Sequence, residues 1–124
     1  MKFHAICENH LFVKAYRTGK KAVCPDVVIY VLPDRHANLL KKQNPEKKKI
    51  NRIGITVTKT VGKAVVRTRV RRIIRAGFSG AVADRRIRTG FLIVFVGRQS
   101  AAESDSVRMK DQIGKGLERL GMFL

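Results

Sequence analysis

Acidic residues are scarce in this 124-residue sequence: nine Asp and Glu stand against 27 Lys and Arg, which gives a formal net charge of +18. Such a chain repels copies of itself and attracts polyanions. No acid lies between Glu46 and Asp84, an interval that holds eleven Lys and Arg residues. A protein nuclease needs carboxylates or histidines gathered around a metal or a nucleophile. We therefore predict that the chain contributes no catalytic residue and no metal ligand of its own.

Cysteines and long apolar runs are also few. The two cysteines, Cys7 and Cys24, are expected to be reduced thiols, because nothing in the chain indicates export to an oxidising compartment. His4, Cys7 and His10 recur every third residue, but this spacing matches no familiar zinc motif. No apolar run approaches the roughly 20 residues that a membrane span requires, and the N-terminus lacks a signal sequence. We expect a cytoplasmic protein that does not enter a membrane.

Hydrophobic periodicity predicts an α+β sandwich in one domain spanning 1–124. Apolar positions recur at helical spacing in 8–17, 62–83 and 104–120, whereas 27–32, 53–58 and 91–96 are short β-branched or aromatic runs. The order helix, two or three strands, helix, strand, helix predicts a sheet with helices on one face. Segment 34–49 is rich in lysine and is interpreted as a mobile insertion, either a solvated loop or a basic arm that touches nucleic acid.

Five arginines lie within nine residues of the central predicted helix. At about 100° per residue, the aliphatic residues Val66, Val70, Ile73 and Ile74 share one face, Arg67, Arg71 and Arg75 form a row on the other, and Arg69 lies at the border. Like-charged pairs four residues apart cost about 0.2–0.5 kcal/mol each. The planar guanidinium of arginine can bind two phosphate oxygens at once, so the row of arginines is predicted to bind phosphates.

The stretch "RIGITVTKTVGKAVVRTRVRRIIRAGF", residues 52–78, resembles the signature of the bacterial ribonuclease P protein component. In that family an Arg-Asn-Arg motif opens a basic helix after a strand and a Gly-x-Ala-Val turn. The likeness extends to "LFVKAYRTGK", "VVIYVLP" and "FLIVFVGR". Thr68 replaces the central Asn of the motif, Thr58, Lys59 and Thr60 stand where the family often has Ser-Lys-Lys, and the 34–49 insertion is longer than usual.

The resemblance implies an αβββαβα sandwich with a left-handed βαβ crossover, of the ribosomal protein S5 domain 2-like kind. It also implies a protein subunit that joins a catalytic RNA, one protein per RNA, to form an endoribonuclease. That holoenzyme removes the 5′ leader of precursor tRNA with Mg²⁺ ions held mainly by the RNA. The chemistry would belong to the RNA.

Two sets of site residues follow from the resemblance. The catalytic RNA would be bound by Lys63, Arg67, Thr68, Arg69, Arg71, Arg72 and Arg75. The single-stranded leader would lie between the first helix and the sheet, on Phe12, Tyr16, Val28, Tyr30 and Lys59. Aromatic platforms flanked by cations are typical of sites for single strands. The alternative is that the rings belong to the core.

Other functions fit less well. A structural RNA-binding protein, such as a ribosomal component, would have the same composition. A helix-turn-helix DNA reader would need a second helix before Gly62, where the sequence predicts a strand. The segment "TKTVGKAV" has Val57 and Ala64 where a phosphate-binding loop requires Gly and Ser or Thr.

Overall fold

The computed structural model describes residues 3–5, 9–33, 51–83, 85–88 and 90–123. Over these residues the chain forms five strands, three α-helices and two short 3₁₀ helices. The strands are β1 (Phe3–Ala5), β2 (Lys20–Val23), β3 (Val27–Pro33), β4 (Asn51–Val57) and β5 (Phe91–Gly97). The helices are α1 (Asn9–Thr18), α2 (Ala64–Ala83) and α3 (Ser106–Arg119), and the 3₁₀ helices are Lys59–Val61 and Gln99–Glu103.

The strands form one mixed sheet in the order β1-β4-β5-β3-β2. β4 and β5 are parallel neighbours, and α2 lies in the connection between them. β3 is antiparallel to both β5 and β2, so that β2 forms one edge of the sheet. None of the described helices is long and apolar enough to cross a membrane.

The larger core lies on the face of the sheet that α2 and α3 cover. Alternate residues of β3, β4 and β5 point to this face, because successive side chains of a strand point to opposite sides. The cluster includes Val27, Ile29, Val31, Val57, Val70, Ile74, Phe78, Ile93, Phe95, Met109, Ile113 and Leu117. It fixes α2 above β4 and β5, and α3 above β3 and β2.

The first helix lies on the opposite face of the sheet. Ala15 of α1 is buried in a smaller cluster with Leu32, Leu92 and Val94. The prediction that helices cover one face is therefore right for α2 and α3 and wrong for α1. Because α1 is short, it covers only part of its face of the sheet.

The two helices α2 and α3 pack closely where α2 carries glycine. A Cβ atom added at Gly77 would lie 2.9 Å from the backbone nitrogen of Lys110 and from the carbonyl carbon of Met109. Only a residue without a side chain fits there unless the helices move apart. This close approach sets the position of the arginine-bearing helix relative to the rest of the molecule.

The turn between β2 and β3 is held to α3 by a buried polar pair. The backbone N–H of Asp26 donates to Oε1 of Gln112 over 2.8 Å, and Nε2 of Gln112 donates to Oδ2 of Asp26 over 2.7 Å. Burial raises the pKa of Asp26, but the hydrogen bond from Gln112 and the positive charge of Arg108 help to lower it, and the pKa lies below its ordinary value. The neighbouring Cys24 is a buried free thiol, and its burial raises its pKa.

The predicted strands and helices are all present, with ends that differ by one to a few residues. The α+β fold is confirmed, and β2 supplies the third strand between the first two helices. β1, which pairs with β4 in parallel, was not predicted. The insertion predicted at 34–49 and the His4, Cys7 and His10 spacing involve positions outside the described structure or side chains it does not describe.

Candidate nucleic-acid interface

The basic helix α2 presents most of the predicted RNA-binding side chains to solvent. Lys63 lies just before it, and Thr68, Arg69, Arg72 and Arg75 are exposed along it. Among the described residues, no carboxylate lies within ion-pair distance of Lys63 or of the five arginines. The described part of this surface is therefore positively charged.

Arg67 and Arg71 depart from the predicted solvent-facing row, because both are half-buried. The buried Phe78 and Val82 lie eleven residues after Arg67 and Arg71 respectively, which is about three helical turns. The face that the helix buries therefore extends to the side of these two arginines. The exposed cations of the helix are Arg69, Arg72 and Arg75, whereas the predicted row was Arg67, Arg71 and Arg75.

Arg69 uses its guanidinium within the protein. Nη1 donates to the carbonyl oxygen of Ala102 and Nη2 to that of Ser104, each over 2.8 Å. These carbonyls lie at the end of the 3₁₀ helix Gln99–Glu103 and just after it. Arg69 thus links α2 to the segment that leads into α3, while its side chain stays exposed.

The Thr68 hydroxyl and Nε of Arg67 differ in whether they form a hydrogen bond. The hydroxyl of Thr68 donates to the carbonyl oxygen of Ala64 over 2.9 Å, so its proton is engaged within the helix and its lone pairs face outward. Nε of Arg67 is buried and has no hydrogen-bond partner in the described part of the chain. A buried donor without a partner is costly.

An open surface lies on the other face of the sheet, beside α1. The strand register places Val28 of β3, Val96 of β5 and Thr56 of β4 in one row across the sheet. All three side chains are half-buried. Tyr16 and Tyr30 lie next to this row, and we call these five residues the cleft surface.

The tyrosines of the cleft surface hold each other in place. Their ring centroids are 5.1 Å apart and the rings are inclined at 68°, an edge-to-face pair. The hydroxyl of Tyr16 donates to Oγ1 of Thr56 over 3.3 Å, which joins α1 to β4. Tyr16 is 41% exposed, so part of its side chain is accessible from solvent.

The remaining predicted leader residues divide between the core and the surface. Phe12 is half-buried and packs against the small cluster of Ala15, Leu32, Leu92 and Val94. Lys59 is exposed in the 3₁₀ helix that follows β4. The structure brings Tyr16, Tyr30 and Val28 together, with Phe12 on the inner side of α1 and Lys59 beyond the end of the strand.

Thr56 and Val96 were missing from the predicted leader set. The signal was present in the sequence, because residues two apart in a strand share a face. Knowing that β5 lies between β3 and β4 would have aligned both residues with Val28, but strand order depends on contacts distant in sequence.

The cleft surface and the arginine-bearing helix meet at one end of the sheet. Thr56 and Val96 lie one residue before the ends of β4 and β5. α2 begins close to the end of β4, after the short 3₁₀ helix Lys59–Val61. The two surfaces therefore lie on opposite faces of the sheet but approach each other at the end where β4 and β5 terminate. Lys59 and Lys63 lie in the segment that connects β4 to α2.

The described residues do not form a protein cage for a divalent cation. They contain no group of three or more His, Cys, Asp or Glu side chains placed to hold a metal. Mg²⁺ is usually bound in proteins by one or two carboxylates together with phosphate oxygens and water.

Comparisons with known proteins give a consistent result over the whole chain. The family model for ribonuclease P matches residues 1–121. The ribonuclease P protein component of a Thermoanaerobacter species is 33% identical over 122 residues, which cover 98% of this chain and 93% of that protein. The corresponding protein of Clostridium botulinum is 30% identical over 123 residues, 99% of each chain.

Solved structures show the same fold. The structure of the Staphylococcus aureus ribonuclease P protein matches with a TM-score of 0.76 at 24% identity and covers 99% of this chain and 100% of that one. The Thermotoga maritima ribonuclease P protein matches with a TM-score of 0.64 at 23% identity, over 87% and 89% of the two chains. With a family model that spans nearly all of its residues and relatives named alike, this chain belongs to the ribonuclease P protein family, the protein component of a ribonucleoprotein endoribonuclease.

Proposed function

We propose that the protein binds the catalytic RNA of ribonuclease P through α2 and the 5′ leader of precursor tRNA through the cleft surface. The observation that carries the proposal is the presence of two different surfaces on opposite faces of one sheet. One is cationic, with no carboxylate in ion-pair distance of its arginines among the residues that the structure describes; the other is apolar and aromatic. A folded RNA and a single strand require these two chemistries respectively.

On the helix, the exposed Arg72 and Arg75 and the half-buried Arg67 and Arg71 contact phosphates of the RNA. Lys63 extends the same surface at the N-terminus of the helix, where the helix dipole adds to the attraction for anions. The outward lone pairs of Thr68 would accept a 2′-hydroxyl proton.

On the opposite face, a leader base stacks on the open side of Tyr16 beside Tyr30. Val28 and Val96 provide an apolar floor that tolerates any base, since every base has a π-face. Lys59 lies where a leader phosphate would pass from the cleft surface towards the RNA-bound side. The protein thereby raises the affinity of the holoenzyme for tRNA that still carries its leader.

The hydrolysis is assigned to the RNA subunit with Mg²⁺ bound to its phosphates, which supplies the activated water. The protein orients substrate and neutralises phosphate charge. We place this activity in the cytoplasm, with one protein per RNA. A purely structural RNA-binding role fits α2 equally well, but it gives no purpose to the pair formed by the exposed Tyr16 and the half-buried Tyr30.

Reconstitution with the catalytic RNA at near-physiological Mg²⁺ tests the proposal. Cleavage of precursor tRNA is measured with and without the protein, and binding is measured for leader-bearing and mature tRNA. We expect faster cleavage with the protein and tighter binding of the leader-bearing tRNA. A protein that binds the RNA but leaves both quantities unchanged would support the structural role instead.

A further inference from the structure

The row of side chains that forms the cleft surface continues onto the edge strand β2. Val23 is the register partner of Val28, which in turn is opposite Val96. The buried Ala22 lies close to α3, within van der Waals reach of a Cβ at Gly116. Because side chains alternate along a strand, Lys21 and Val23 point to the cleft side.

These two residues form an open end of the row. Val23 is 49% exposed, which makes it one of the few large apolar side chains on the surface of the described structure. Lys21 is exposed beside Tyr30, its register partner. Among the described residues, no carboxylate pairs with Lys21. An apolar side chain next to a cation suits a nucleotide, because the base can pack on the apolar side chain and the phosphate can bind the cation.

The position of α2 indicates which end of the row lies nearer the RNA. α2 packs on β4 and β5, whereas α3 covers β3 and β2. The RNA that α2 binds therefore lies nearer the Thr56 end of the row, and the Val23 end is farthest from it. Four strands span about 14 Å at the usual spacing between neighbours, so the row is long enough for more than one nucleotide.

We propose that Val23 and Lys21 form a distal leader subsite, in which Val23 contacts a base and Lys21 the adjoining phosphate of a nucleotide farther from the cleavage point than those on Tyr16 and Tyr30. This subsite rests on the proposed function, because it needs the leader to lie on the cleft surface. The hydrogen bond between Asp26 and Gln112, which anchors the β2–β3 turn to α3, keeps the subsite in position.

The test uses reconstituted holoenzyme and a series of precursor tRNAs whose leaders grow by one nucleotide. Binding is compared for the unaltered protein, Lys21→Ala and Lys20→Ala. Lys20 is a matched control, because it is exposed on the same strand but points to the opposite face. We expect Lys21→Ala to match the unaltered protein on short leaders and to bind long leaders about two- to fivefold more weakly. Lys20→Ala should bind tRNA with the same affinity as the unaltered protein at every leader length.

A second variant tests the base contact. Val23→Ser removes the apolar side chain at an exposed position, and its thermal unfolding shows whether the fold is intact. We expect Val23→Ser to weaken binding of long leaders by the same factor as Lys21→Ala and to leave binding of short leaders unchanged. If both variants follow the unaltered protein at every leader length while binding still improves with leader length, the subsite is overturned and the proposed function stands. If leader length has no effect on the unaltered protein, the proposed function itself fails.

Discussion

The guanidinium of Arg69 donates to the carbonyl oxygen of Ser104 over 2.8 Å, and its second terminal nitrogen bonds the carbonyl of Ala102. This link joins the N-terminal part of α2 to the segment before α3. Arg69 therefore differs from Arg72 and Arg75, whose side chains form no hydrogen bond or ion pair among the described residues. The same motif thus contains one arginine tied to the protein and others open to a ligand.

We predict that Arg69→Ala and Arg72→Ala affect different quantities. Arg69→Ala should lower the free energy of unfolding by about 1 kcal/mol, because two charge-assisted bonds at an exposed site are lost. Arg72→Ala should leave unfolding unchanged but flatten the dependence of log affinity for RNA on log salt by somewhat less than one unit. Chemical denaturation and RNA titrations at several salt concentrations measure both. A salt dependence flattened equally by the two variants would show that Arg69 also contacts phosphate.

The glycines of the helix interface provide a matched pair. We predict that Gly77→Ala destabilises the protein, because its Cβ would lie 2.9 Å from backbone atoms of α3. Gly114→Ala should stabilise it by about 0.5–1 kcal/mol, since the nearest atom to its Cβ is 3.9 Å away and alanine favours helix. Thermal unfolding measures both effects. Equal stability of the two variants would contradict the close packing of α2 on α3.

Much of the fold could be predicted from the sequence because its central elements carry strong local patterns. β3 and β5 are apolar runs, and α3 has a single apolar stripe that ends in the buried Leu117. β2 has one buried residue and two lysines, so its pattern is weak and its place depends on pairing with β3. β1 has three residues and pairs with a strand more than forty positions later.

The site could be predicted in its residue types but not in its geometry. The angular positions of the residues predicted that arginines and aliphatic residues lie on different faces of α2. They did not predict that the buried face extends through Phe78 and Val82 to the side of Arg67 and Arg71. The bonds of Arg69 depend on where the segment after β5 packs, about thirty residues away. The alignment of Thr56 with Val96 depends on strand order, which periodicity does not contain.

The Asp26–Gln112 pair predicts an acid-sensitive contribution to stability. The pKa of Asp26 is below its ordinary value in the folded protein, so its contribution is present above about pH 4 and is lost as the pH falls through the folded pKa. Gln112→Ala should lower the free energy of unfolding by about 1–3 kcal/mol at pH 7, and by less at pH 3 or below. Denaturation at both pH values measures this difference. An equal loss at both would mean that the charge of Asp26 does not contribute.

Tyr16 provides a test of stacking separate from folding. Tyr16→Ala should weaken binding of leader-bearing tRNA by about 1–3 kcal/mol and leave assembly with the catalytic RNA unchanged. Tyr16→Phe should keep most of the affinity, because the ring remains and only the 3.3 Å bond to Thr56 is lost. Val13→Ala is the control, an exposed apolar residue on the same helix. Unfolding of Tyr16→Ala at the assay temperature, with Tyr16→Phe unaffected, would assign the ring to the core.

We propose that elements on two faces of one sheet bind two different RNAs, and the ratio of affinities for leader-bearing and mature tRNA measures this division of roles. The ratio is measured on holoenzyme assembled at saturating protein for the unaltered chain, Arg75→Ala and Tyr16→Ala. We predict a ratio above one that Arg75→Ala preserves and that Tyr16→Ala brings close to one. A ratio of one for the unaltered protein, or a ratio that falls equally in both variants, would show that the two faces do not bind separate RNAs.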